Sequence, residues 1–76
     1  MLTFKQLDIN RWQFGKRETK GWVSFGNIRE LEEGTLFVSF YPDIEFPSSV
    51  IDKLNQGLQR IRAGANDDFS IDGVAV

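Results

Sequence analysis

The chain contains neither cysteine nor histidine. That absence excludes disulfides, zinc sites of the Cys/His type, thiol nucleophiles and every triad built on an imidazole. Long hydrophobic runs are missing too: no stretch approaches the roughly 18 apolar residues that span a bilayer. The opening Met1-Leu2-Thr3-Phe4-Lys5-Gln6 lacks the basic segment and apolar run of a signal peptide, so a cytoplasmic location is the default expectation. The glycines (15, 21, 26, 34, 57, 64 and 73) are spaced as turns and caps and form no phosphate-loop or dinucleotide fingerprint. Ser24, Ser39, Ser48, Ser49 and Ser70 have no imidazole or Ser-Lys partner.

What the sequence does have is apolar and aromatic content. At 76 residues there is room for one domain, and a chain this short hides only about 60% of its extended surface on folding. The 41% hydrophobic and 13% aromatic fractions are nonetheless enough for a thin core, either alone or shared in a dimer. The net charge of −2 is unevenly spread. Residues 1–29 carry Lys5, Arg11, Lys16, Arg17, Lys20 and Arg29 against Asp8 and Glu18, whereas 30–47 carry only carboxylates: Glu30, Glu32, Glu33, Asp43 and Glu45. A locally positive surface on an acidic protein follows from that asymmetry.

The clearest element is a helix over about 49–62. Ile51, Leu54, Leu58 and Ile61 recur at helical spacing, Val50 widens their stripe, and Lys53, Gln56 and Arg60 oppose it. Pro47 stops any upstream helix, Ser48 or Ser49 suits the N-cap, and Gly64 suits the exit. Gly57 costs about 1 kcal/mol relative to Ala, as a local defect or as a point of close approach to a sheet.

Upstream the pattern is that of strands. Leu36 to Tyr41 alternates, with Leu36, Val38 and Phe40 on one face and Phe37, Ser39 and Tyr41 on the other. Glu32-Glu33-Gly34 reads as a hairpin turn into it from a strand at about 22–31, with a bulge or turn signal at Gly26-Asn27. A strand at 11–15 would join that one through a loop at Lys16–Lys20, and residues 2–9 form a further strand. The expected architecture is therefore α+β: an antiparallel sheet of three or four strands packed on one C-terminal-half helix, with Leu36, Val38 and Phe40 facing the helix stripe. Residues 1–64 form the domain, and 65–76 an acidic tail that is either an edge strand or disordered.

No acidic cluster has metal-loop spacing, and no carboxylate pair has a separation fixed by the sequence. Neither a catalytic residue, a metal nor a cofactor is therefore expected. The chemically informative region is Arg11, Lys16, Arg17 and Lys20 around Trp12, Phe14 and Trp22, aromatic residues that either fill the core or lie on a surface. With Phe37 and Tyr41, the basic residues and the two tryptophans form the candidate interaction surface. Aromatic residues and Arg contribute heavily to protein interfaces. Bases also stack on aromatic rings while Lys and Arg attract phosphates. Phe14-Gly15-Lys16 and Ile28-Arg29-Glu30 resemble short pieces of the single-stranded-DNA-binding transcriptional coactivator domains, whose sheet also precedes a helix. The similarity covers about a third of the chain and departs at Glu32-Glu33 and in the helix linker. It implies nucleic-acid binding, which is the alternative expectation. The leading one is a non-catalytic protein-interaction or regulatory module with a protein partner or a second copy of itself, and no membrane association.

Overall fold

A computed structural model describes residues 1–32 and 34–72. Five strands and one helix follow in the order β1 (Leu2–Asp8), β2 (Arg11–Glu18), β3 (Gly21–Glu32), β4 (Thr35–Phe40), α1 (Ser49–Arg62) and β5 (Phe69–Ile71). The strands form one sheet in the order β4-β3-β2-β1-β5, and every neighbouring pair is antiparallel. The expected α+β architecture is present, with one more strand than the sequence pattern implied. That strand is Phe69–Ile71 of the acidic tail, which pairs with β1 through Leu2↔Ile71 and Phe4↔Phe69. The part of the expected tail beyond residue 72 lies outside the described residues.

Short turns make the meander. Asp8 pairs with Arg11 across Ile9-Asn10, and the Asp8 carboxylate accepts from the Asn10 backbone N–H at 2.9 Å. Glu18 pairs with Gly21 across Thr19-Lys20, and Gly21 has φ 126°, a conformation a side chain would strain. The expected loop at Lys16–Lys20 is thus mostly strand. Each hairpin carries a register shift, at Gln6/Asp8, Phe14/Gly15 and Glu30/Glu32. The middle one leaves Phe25 as the extra residue beside Gly26, so the glycine signal marks a bulge inside one long strand.

One face of the sheet is apolar. Leu2 and Phe4, Trp12 and Phe14, Phe25 and Ile28, together with Ile71, pack under Val50, Leu54 and Ile61 of the helix. The helix ends where the sequence places it, in a Schellman arrangement: Ala65 N–H donates to the Arg60 carbonyl, Gly64 N–H to that of Ile61, and Gly64 has φ 99°. Its start differs from expectation. Ser48 is the N-cap residue but makes no side-chain cap bond; Val50 N–H donates to the Pro47 carbonyl instead.

Two further corrections concern packing. The buried stripe is Val50, Leu54, Gly57 and Ile61, whereas Ile51 is 43% exposed. The helix is rolled toward Gly57 because only a residue without Cβ fits there: a methyl group would fall within the Phe4 ring. The helix also lies over β1 and β5, not over β4. A helix about 10 Å wide covers roughly two strands spaced about 4.8 Å apart. Leu36, Val38 and Phe40 do point to the helix side, but the linker covers that edge. Phe46 stacks on Phe40 at 5.1 Å and lies 5.9 Å from Phe25, with Ile44 also against the core.

Candidate recognition face

The second face of the sheet carries no helix. Antiparallel partners share a face, so the register places its side chains in rows. One row runs Ser70–Thr3–Gly15–Ser24, the next Lys5–Gln13–Asn27–Ser39, the third Arg11–Arg29–Phe37, and Arg17 pairs with Trp22 near the opposite turn. Most of this face is polar, with Trp22, Phe37 and Tyr41 set into it.

Side-chain hydrogen bonds tie β2 and β3 to Tyr41, the residue that follows β4. Trp22 Nε1–H donates to Gln13 Oε1 at 3.0 Å, Gln13 Nε2 to the Tyr41 hydroxyl at 3.4 Å, and Asn27 Nδ2 to the same hydroxyl at 3.0 Å. The Trp22 ring passes so close to Gly15 that a Cβ there would sit 3.0 Å from Cζ2. Lys5 Nζ stands 4.2 Å from that ring's centroid, and the Arg29 guanidinium lies 5.6 Å from the Phe37 ring. Hydrogen bonds from Gln13 and then Asn27 hold the Tyr41 phenol below its usual range, because both donors favour the phenolate.

At one end the face becomes apolar. Leu7, Arg11, Arg29, Phe37 and Ser39 surround a shallow depression of about 260 Å³. Ile9, 82% exposed, lies in the adjoining β1–β2 turn, whose Asn10 carbonyl accepts from Glu30 N–H; Leu31 is exposed at the Glu30/Glu32 register shift. Asp8 is bound to Arg11 Nε at 2.7 Å. The Asn10 N–H and then the Arg11 side chain hold the Asp8 carboxyl below the usual carboxylate range.

The eight residues expected to form a surface do not stay together. Arg11, Arg17, Trp22, Phe37 and Tyr41 share the open face or its ends. Trp12 does not: it is 2% exposed and packs edge-on against Phe69 at 5.5 Å in the core. The strand's two-residue period sends Trp12 and Phe14 inward once Phe4 faces the helix. Lys16 falls on the helix side, with Nζ 3.1 Å from Glu18, and Lys20 sits in a turn. Lys5, Leu7, Gln13, Asn27 and Arg29 are the residues the sequence reading missed. Lys5 alternates with Leu2 and Phe4, and Arg29 follows the buried Ile28, so each had a signal in its neighbour's burial. Among the described residues, no group of three or more acidic side chains is placed to hold a metal ion. No family model, curated protein or solved structure matches this chain.

Proposed function

We propose that this chain is a non-catalytic protein-recognition module that docks its partner on the open face of the sheet. The observation that carries this reading is the gathering of Leu7 and Phe37, both about half exposed, around the depression at one end of that face beside Arg11 and Arg29, with the exposed Ile9 next to Leu7. Large apolar side chains next to arginine are the composition of interface hot spots, and an exposed apolar cluster costs free energy in water until something covers it. The test is affinity capture with wild type and with Leu7→Ser/Phe37→Ser, both substitutions lying at exposed positions. Loss of a specific, saturable partner in the variant, with an unchanged thermal midpoint, is the expected result. Equal capture by both proteins would remove the reading.

A second reading, single-stranded nucleic-acid binding, is favoured by a different observation at the other end of the face. Trp22 lies over Gly15 with Lys5 beside its ring and Arg17 opposite it in register, an aromatic platform with cations. It predicts a change in tryptophan fluorescence on oligonucleotide addition at about 50 mM salt, weakening as salt rises. No salt-sensitive change in a folded sample would dismiss it.

A further inference from the structure

The sheet has two edges. The β5 edge is three residues long, whereas β4 offers six, about 20 Å of backbone. The hydrogen-bond phase along β4 is fixed by the Tyr41 N–H, which donates to the Phe25 carbonyl at 2.9 Å. In an antiparallel pair the bonded positions alternate. Ser39 and Phe37, opposite Asn27 and Arg29, therefore direct their backbone groups to β3. The N–H and C=O groups of Leu36, Val38 and Phe40 point away from the sheet. Among the described residues no loop backbone bonds to them, because the linker turns back over the helix-side face through Phe46.

Edge strands are commonly guarded by charge or proline, and β4, Thr35 to Phe40, contains neither. Its charges lie just beyond its ends. Glu32, opposite Thr35, marks one end, and Asp43 and Glu45 follow the other; all three are exposed. A second copy of the same strand, added antiparallel, would bring the acidic end near Glu32 to the acidic end near Asp43 of its neighbour, so self-pairing is opposed by like charges. An added strand with cations at both ends meets attraction at both.

We propose that the outer edge of β4 accepts an extended segment of a partner protein, basic at both ends, as a sixth strand of the sheet. This rests on the protein-recognition reading and names the kind of partner segment involved. Backbone hydrogen bonds from Leu36, Val38 and Phe40 hold the segment, and the carboxylates at Glu32, Asp43 and Glu45 select its flanks.

The probe is a synthetic peptide of alternating Val and Thr flanked by two lysines at each end, followed by amide exchange and chemical shifts of the whole chain. Exchange at Leu36, Val38 and Phe40 should slow about tenfold or more when the peptide saturates. A peptide with glutamate flanks, or the variant Glu32→Gln/Asp43→Asn/Glu45→Gln, should bind about tenfold more weakly at low salt. The lysine-flanked peptide N-methylated at alternate residues along its bonding edge should lose the protection, and this control leaves the protein's own fold untouched. Equal binding of lysine- and glutamate-flanked peptides overturns the proposal, as does β4 protection that grows with protein concentration without any peptide. Shift changes confined to Leu7, Arg11 and Arg29, with no slowing at β4, overturn the edge inference while leaving the open-face reading in place. Slowing at β4 in the Leu7→Ser/Phe37→Ser protein supports the edge inference even where that variant removes the face.

Discussion

Gly57 sits directly on the ring of Phe4, and the absence of a side chain at that point sets the height and roll of the helix above the sheet. Ala is the better helix former by about 1 kcal/mol, but overpacking a filled core costs roughly 1–3 kcal/mol. Gly57→Ala should therefore lower stability in urea unfolding despite its helix propensity. Combining it with Phe4→Leu should recover part of the loss, since the two sites share one contact.

The roll of the helix makes a second expectation. Leu54→Ala should cost roughly 2–4 kcal/mol, because Leu54 is buried against the sheet. Ile51→Ala, at an exposed position, should fall within about 0.5 kcal/mol of wild type. Similar losses at both positions in denaturant titrations would refute the stripe Val50, Leu54, Gly57, Ile61.

Tyr41 is the sole tyrosine of the chain, so its ionisation is read directly from tyrosinate absorbance. Its pKa is lowered by the Gln13 and Asn27 side chains. Gln13→Ala should move the titration upward, toward the ordinary phenol value. Because the folded pKa is the depressed one, this group's contribution to stability is present above the unfolded pKa and is lost as pH falls through the folded value. Near neutrality, where the phenol is protonated in both states, Gln13→Ala should therefore leave this pH-dependent contribution unchanged.

Asp8 obeys the same sign in acid. Its carboxyl is held down by the Asn10 N–H and the Arg11 side chain, so its contribution is present above the ordinary value of 3.8 and disappears as pH falls through the folded value. Asp8→Ala should flatten the acid limb of stability against pH, measured as the urea midpoint between about pH 5 and pH 2. An unchanged acid limb would show that the bonds to Asn10 and Arg11 do not persist in solution.

Much of the fold was legible because its signals were local. The helix boundaries at Ser49 and Arg62 follow from Pro47 and Gly64, and the alternation of Leu36 to Tyr41 gives β4. What escaped depended on contacts distant in sequence. Ile51 fits the helical period as well as Val50 does; only Phe4 beneath Gly57 decides between them. Phe69–Ile71 is too short to announce itself as a strand without Leu2 and Phe4 beside it. The surface suffered most: Trp12 and Lys16 alternate with Arg11, Gln13 and Arg17 along β2, and nothing local says which of the two sets is covered. The side taken by Trp12 is hidden for the same reason: aromatic residues near basic ones look alike from sequence whether their strand face is wet or covered.

The pairing of Leu2 with Ile71 has a consequence in time. During synthesis β1 to β4 leave the ribosome first and can form their hairpins from neighbouring residues. Phe4 then waits for two arrivals: Gly57 of the helix, and Phe69, which stacks on its ring at 4.7 Å. At about 5–20 residues per second, translation alone delays that closure by several seconds. Through that interval the apolar face of the meander, with Trp12 and Phe14, stands open to solvent, and it is the stage at which the nascent chain offers chaperones the most to hold.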